Sequence, residues 1–404
     1  MKNLLANLHA HLFGLILLTV ACTAEAQVEI PLVLHYDGSD DLRIGIEVSF
    51  QAGSGTTEPK LFLFDTGSSS LITNTGVDLG TSSNTGNSSI ASYGIATSSN
   101  HPFNEYSGAV VFHDRAGQPV PVSNVNFGSS YNTATYPNGG TVANGDFHGI
   151  IGAGLAPDHF SGDPSDFYLY SIFGQIPAGS GLKSGFTVDV ASGTKSLYLG
   201  VSDAQIANFT ATAPLNPTYN IPTEYNTFPN TGYQAYNQKQ INTTISFDGQ
   251  NLSSEAIPTT IDSGAPDAAI VEGPGHSIEP HITVPNVPSE YLTTFEDNSV
   301  LVDGTNFAVG AFGGGSLYEY LAKVLKDPAL VKVDDQPDGT DGHLNTGIEP
   351  FLSYQITFLF DDGTGKGIVG FTAVPEPATY ALGLGWATVA VLICQRRRQK
   401  FRNA

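Results

Sequence analysis

Cysteine is nearly missing from this chain of 404 residues: there are two, Cys22 and Cys394, both in apolar segments near the ends. Everything between them has none, which rules out disulfides and a cysteine-type zinc site there and leaves the hydrophobic core to hold the fold. Charge is also sparse. At 13% charged residues the chain is far from a coiled coil or a charged disordered tail, and it lacks the repeated long apolar runs of a polytopic membrane protein. Base is scarcer than acid, with 16 Lys+Arg against 38 Asp+Glu and a formal net charge of -22. Five of those bases crowd the last nine positions, so the segment between the ends carries 36 acids and 10 bases. Such a surface repels a phosphate backbone, so nucleic acid is not expected as a partner. Gly-x-Ser-x-Gly, His-Glu-x-x-His and a phosphate-binding glycine loop ending in Gly-Lys-Ser/Thr are absent as well.

What is there begins with 45 glycines and many short β-type stretches: Arg43 to Phe50, Lys60 to Phe64, Gly108 to His113, Phe186 to Val190, Ser196 to Leu199 and Tyr354 to Phe360. Clusters of Gly, Asn, Ser and Pro separate them, the pattern of an all-β protein with many hairpins. Short helices are expected around Asp166 to Phe173 and Tyr318 to Leu325. Gly313-Gly314-Gly315 reads as a flexible turn. His276, Glu279 and His281 are metal-ligand types, but Pro280 interrupts them and no supporting cluster stands nearby, so no metal or other cofactor is expected.

Both ends read as targeting segments. Lys2, the apolar stretch Leu12 to Val20 and Ala24-Glu25-Ala26 form a secretory signal peptide over residues 1 to 26, with cleavage before Gln27. A lipoprotein site at Cys22 is the alternative, with Thr19 in place of the usual Leu. At the far end, Val374-Pro375-Glu376-Pro377, an apolar run from Ala378 to Cys394 and Arg396-Arg397-Arg398 follow one another. In that order, over residues 374 to 404, they resemble the PEP-CTERM sorting signal of Gram-negative bacteria. The resemblance implies processing by an exosortase-type enzyme, a membrane contact through this segment before processing, and a destination in the cell envelope or extracellular matrix. A plain C-terminal membrane anchor with a cytoplasmic basic flank is the alternative.

The most informative feature of the middle is a repeat. Leu63-Phe64-Asp65-Thr66-Gly67-Ser68-Ser69 has a counterpart in Ile261-Asp262-Ser263-Gly264-Ala265, and each is followed by another glycine after a short approach. Those approaches are Ile150-Ile151-Gly152 and Leu344-Asn345-Thr346-Gly347, so glycine trails aspartate by 87 residues in one copy and 85 in the other. Near-equal spacing is the mark of a duplicated lobe. One Asp-Thr-Gly alone is a common turn sequence; two in register with downstream glycines are not.

These residues resemble the pepsin-like aspartic peptidases over roughly residues 40 to 373. Phe147-His148-Gly149-Ile150-Ile151-Gly152 is similar to that family's Phe-Asp-Gly-Ile-Leu-Gly, Ser196 to Gly200 to the strand closing its first lobe, and Phe351 to Phe371 to its last strands. The second motif, Asp-Ser-Gly-Ala, resembles the retropepsin form. The resemblance implies an all-β, bilobal fold, two related β-barrel-like lobes at 27 to 205 and 206 to 373 with a cleft between them, and catalysis by Asp65 and Asp262. Two carboxylates held together cannot both ionise, so one serves as base toward water and the other as acid toward the scissile carbonyl.

The neighbouring residues have reasons too. Gly67 and Gly264 let the loops turn sharply and approach, Thr66 and Ser263 offer hydroxyls to lock the lobes, and Ser68 is placed to bond the outer oxygen of Asp65. Ala265 leaves the second copy without that hydroxyl, so one supporting bond is expected to be missing. A substrate-covering hairpin is expected from Ser92-Tyr93-Gly94 and Gly108 to Asp114, with a long turn over Thr97 to Asn104 and Tyr93, then Tyr106, as candidates for its tyrosine. The functional expectation is an exported endopeptidase acting on polypeptide. The alternative is a non-catalytic surface or matrix protein that keeps the lobes, which Ala265, the polar Asn345-Thr346 and the long hairpin turn favour.

Overall fold

In Leu42–Ala52, Ile44, Ile46, Val48 and Phe50 alternate with Gly45, Glu47 and Ser49, and the four apolar side chains are buried. A strand's period of two puts that set on one face, and burying it drives the strand against a core. The same alternation recurs along the first half of the chain. The computed structural model describes residues 27–36, 41–93, 99–135, 146–218, 221–247, 250–251, 257–266, 269–272, 292–294, 300–303, 307–311, 330–335 and 343–374. Residues 1–26 and 375–404 of the targeting segments, the 313–315 glycines, the 276–281 group and the helix expected over Tyr318 to Leu325 lie outside the described residues. Among the described residues no helix is long and apolar enough to cross a membrane.

Six strands close into a ring: Leu42–Ala52, Lys60–Asp65, Gly149–Gly152, Leu71–Thr73, Pro119–Ser130 and Ser99–His113, the last returning to the first through Ser49↔Val111 and Phe50↔Val110. Closure leaves this barrel without the open edges of a flat sheet. Ser83–Tyr93 pairs on the outside of Ser99–His113. The barrel continues into a second stretch of sheet through Val28–Tyr36. Its Leu32–Tyr36 part pairs with Leu42–Ala52 and its Val28–Pro31 part with Ser196–Val201. Pro31, which has no N–H to donate, sits where the partner changes.

That second stretch joins the two halves of the chain. Beyond Ser196–Val201 it runs through Lys183–Asp189, Tyr354–Leu359, Ile368–Ala373 and Ala211–Pro214. Gly185 stands opposite Leu359 and Val188 opposite Ile356, pairs 174 and 168 residues apart, so distant strands share one ladder. The boundary expected between residues 205 and 206 falls inside the short helix Asp203–Ala207, which Ser202 and Gln205 close with a capping box.

A separate nine-stranded sheet belongs to the second half, and it repeats the first half's connections. Lys60–Asp65 runs parallel to Gly149–Gly152, which is antiparallel to Leu71–Thr73, which is parallel to Pro119–Ser130. Likewise Ile257–Thr260 runs parallel to His343–Asn345, which is antiparallel to Ala269–Glu272, which is parallel to Leu330–Asp335. The registers are Leu63↔Ile150 and Thr260↔Asn345, offsets of 87 and 85 residues, the same as the spacing of the two motifs. The repeat in sequence is therefore a repeat in strand pairing.

One core spans both halves, from Ile30 and Phe64 to Ile261, Leu344 and Phe371. Through it runs a chain of aromatic contacts: Phe64 to Phe173 at 5.4 Å, Phe173 to Phe186 at 5.5 Å and Phe186 to Phe358 at 5.0 Å. Each such pair is worth about 0.5–1.5 kcal/mol beyond area burial. Because Phe64 immediately precedes Asp65, this packing anchors the first motif.

Two local expectations are corrected. Residues Asp166 to Phe173 are not a helix: Phe167–Leu169 is a strand paired with Asp158–Phe160, and one 3₁₀ turn follows at Phe173–Gln175. Phe167 and Leu169 bury while Tyr168 between them does not, a period of two that pairing rewards. The long hairpin turn over Thr97 to Asn104 is also not formed. Ser99–His113 is already a strand from Ser99, with Tyr93 opposite Ser99, because His101, Phe103 and Glu105 alternate into the interior despite the turn-forming residues around them. Positions 94–98 lie outside the described residues.

Candidate active site

Each motif follows the end of a strand whose parallel neighbour leads to the motif's downstream glycine. The two loops meet back to back and bond reciprocally. Thr66 N–H donates to Ser263 Oγ at 3.0 Å and Ser263 N–H to Thr66 Oγ1 at 2.9 Å. The two hydroxyls donate onward across the same junction, Thr66 to the Ile261 carbonyl at 2.6 Å and Ser263 to the Phe64 carbonyl at 2.8 Å. Thr66 and Ser263 are both fully buried, so each of these donors has its partner where water does not reach.

The glycines explain how close the loops come. A Cβ on Gly67 would stand 2.4 Å from Cγ of Asp262, and one on Gly264 would stand 2.4 Å from Cγ of Asp65. Each carboxyl thus lies against the other loop's glycine, where no side chain fits. The folding of the two halves brings together Asp65, Thr66, Gly67, Ser68, Asp262, Ser263 and Gly264.

Oδ1 of Asp65 accepts the Gly67 N–H at 2.7 Å, and Oδ1 of Asp262 accepts the Gly264 N–H at 2.8 Å and the Ala265 N–H at 3.1 Å. Burial pushes the Asp65 carboxyl well above the usual carboxylate range, and the adjacent charge of Asp262 and a hydrogen bond between the two carboxyls push it further. Ser68 lies close enough to favour the charged form of Asp65, but its hydroxyl makes no well-angled hydrogen bond.

At Ala265 the expected gap is filled from elsewhere. Asn345, on the strand beside the second motif, donates from Nδ2 to Oδ2 of Asp262 at 2.6 Å, and Thr346 Oγ1 accepts the Asp262 N–H at 3.4 Å. The polar pair that broke the apolar approach to Gly347 is therefore bonded to the second aspartate.

Tyr93 and Tyr106 separate clearly. Tyr93 ends its strand, and burial together with the nearby charges of Asp158 and Asp65 raises its phenol well above the ordinary tyrosine value. Its ring meets His101 edge-on at 5.3 Å, and burial lowers the pKa of that histidine. Tyr106 stands opposite Asn84 and stacks on Phe127 with ring centres 6.2 Å apart, in the body of the barrel.

Sequence reading missed four contributors. Gln240, fully buried, donates to the Thr66 carbonyl at 2.8 Å and accepts the Ile261 N–H at 2.6 Å, bridging both loops with one amide. Gln238 donates to the Gly67 carbonyl. Arg43 donates to the Gly264 carbonyl at 2.5 Å. Asp158 accepts the Ser70 hydroxyl at 2.5 Å and the N–H groups of Ser69 and Ser70, while burial raises its pKa. None lies in a motif, and only folding brings them to the loops. Among the described residues no group of three metal-ligand side chains occurs.

No family model matches the chain, and no curated protein resembles it in sequence. Solved structures do resemble it in fold. The aspartic proteinase from Irpex lacteus superposes with a TM-score of 0.54 over 88% of this chain and 99% of that one, at 16% identity. Basic 7S globulin from soybean superposes with a TM-score of 0.52 over 87% of this chain and 98% of that one, at 13% identity. At these identities the likeness is one of architecture: the chain has the all-β, bilobal fold of the pepsin-like aspartic proteinases.

Proposed function

We propose that this chain is an exported aspartic endopeptidase that hydrolyses peptide bonds between Asp65 and Asp262. The observation that carries the reading is the back-to-back meeting of the two loops, which sets each carboxyl against the other loop's glycine, with burial and the adjacent Asp262 raising the Asp65 pKa. Two carboxyls so placed share one proton, and they titrate as a pair. The charged member takes a proton from water as the water oxygen attacks the carbonyl carbon. The protonated member gives its proton to the carbonyl oxygen. Collapse of the resulting diol breaks the C–N bond, and the amine leaves with a proton returned by the pair. Substrate lies extended in the cleft between lobes at 27 to 205 and 206 to 373, as an added strand, with Tyr93 at the end of the covering hairpin. Residues 1 to 26 direct export, and residues 374 to 404 act as the sorting signal removed by an exosortase-type enzyme.

The test is incubation of the purified full chain with unfolded polypeptide at acid and neutral pH, followed by sequencing of the fragments. Cleavage in acid, lost in Asp65→Asn and in Asp262→Asn, is expected. A second reading has its own support in the likeness to a soybean chain named as a globulin rather than a proteinase. On that reading the cleft of a surface or matrix protein binds without turnover, and absence of cleavage across the acid range would favour it.

A further inference from the structure

We propose that Asn345 is a positioning residue that fixes the shared proton on Asp65 by filling Oδ2 of Asp262 with a group that can only donate. The proposal rests on reading the two aspartates as a catalytic pair. Its basis is the orientation of one amide. Gly347 N–H donates to Asn345 Oδ1 at 2.9 Å, and a backbone N–H has nothing to accept with, so oxygen must stand on that side. Nδ2 is then the atom that faces Oδ2 of Asp262 at 2.6 Å. A hydroxyl there would either give or accept a hydrogen; an amide nitrogen only gives. Oδ1 of the same carboxyl already receives two backbone N–H groups. A proton on Asp262 therefore competes with three N–H donors, whereas Asp65 is buried and receives the Gly67 N–H, with the Ser68 hydroxyl near it but not well angled.

The repeat shows that this is a specific departure. The register that sets Thr260 opposite Asn345 in the second half sets Leu63 opposite Ile150 in the first, so an amide stands where the other copy has an apolar side chain. Three residues past each aspartate the exchange is reversed, Ser68 in the first copy and Ala265 in the second. Two breaks in the two-fold repeat thus face one carboxyl, one removing a hydroxyl and the other adding a donor. Asp65 becomes the acid and Asp262 the base that meets water. Among the described residues the other titratable or charged groups around the pair are Tyr93, with His101 against its ring and Asp158 near it, and Arg43 on the Gly264 carbonyl with Asp41 beside its guanidinium.

The experiment is a pH titration of the full chain labelled with ¹³C in its aspartate carboxyl groups, followed by NMR, which reads the pair without turnover. A hydrogen bond to a charged group corresponds to about 1–2 pH units, so Asn345→Leu should raise the lower of the pair's two steps by that amount and leave the upper step in place. Asn345→Ser, whose hydroxyl takes the place of Cγ and falls short of Asp262, should do the same and serves if the leucine variant does not fold. Adding Ala265→Ser to either variant should return part of the shift. An unmoved lower step, or both steps rising together, would overturn the proposal. Absence of cleavage alongside the stated titration would instead count against the peptidase reading alone.

Discussion

Thr66 and Ser263 hold each other's backbone: the hydroxyl oxygen of each accepts the N–H of the other, at 2.9 and 3.0 Å. This exchange sets how far apart the carboxyls of Asp65 and Asp262 stand, because each aspartate is the residue just before. Thr66→Val removes the oxygen that accepts the Ser263 N–H and donates to the Ile261 carbonyl. Both groups are then left buried without a partner, at a cost of about 1–3 kcal/mol. Ser263→Ala should cost a similar amount. Because the two residues share one network, the double variant should fall short of the sum by more than about 0.5 kcal/mol. Urea denaturation of the four proteins measures this, and simple additivity would mean that the junction is not the joint unit described.

Asp65 makes stability depend on pH in a direction set by its raised pKa. The unfolded chain releases that proton above about pH 4, while the folded protein keeps it, so the contribution of Asp65 to stability is greatest in acid and falls as pH rises toward the folded value. Asp65→Asn removes the dependence and should be more stable than the parent at pH 7. Denaturation curves between pH 3 and pH 8 decide it, and a parent that gains stability across this range relative to the variant would contradict the raised value.

The same substitution should abolish turnover. General acid–base assistance is typically worth about 10²- to 10⁴-fold, and an amide neither accepts nor returns the proton. Parent activity should decline as pH climbs past the upper step of the pair, where both carboxyls ionise and the acid is lost. A pH–rate profile on a peptide library checks this, and cleavage surviving in either asparagine variant would place the chemistry elsewhere.

Tyr93 and Tyr106 should respond differently to truncation. Tyr93→Phe removes a phenol that feels the charges of Asp65 and Asp158. In the proposed covering role that phenol bonds the substrate, and losing one hydrogen bond of ordinary strength to it lowers kcat/KM by roughly 5- to 10-fold. Tyr106→Ala loses its stacking on Phe127, about 0.5–1.5 kcal/mol on top of the apolar area it uncovers against the core, while kcat/KM of the folded fraction stays put. Equal effects on kcat/KM would remove Tyr93 from the covering role.

Alternating apolar residues made the strands legible in advance, since a period of two follows from backbone geometry and requires no knowledge of partners. The spacing of 87 and 85 residues likewise pointed to a duplicated lobe, and the structure shows it as the same offsets in two parallel registers, Leu63↔Ile150 and Thr260↔Asn345. Periodicity failed over Asp166 to Phe173, where a few apolar residues suit a short helix and a short strand equally and pairing with Asp158–Phe160 settled the matter. It failed again at Ser99 to Asn104, where turn-forming residues joined a strand because His101, Phe103 and Glu105 had an interior to enter. The supports of the aspartates were the least visible. Ala265 marks a missing hydroxyl in the sequence, but nothing linear connects it to Asn345, 80 positions later. Gln240 and Arg43 similarly reach Thr66, Ile261 and Gly264 only once the chain has folded. Local backbone preference is written residue by residue, whereas a hydrogen bond needs two groups within about 3 Å, and that distance exists only after the halves have packed.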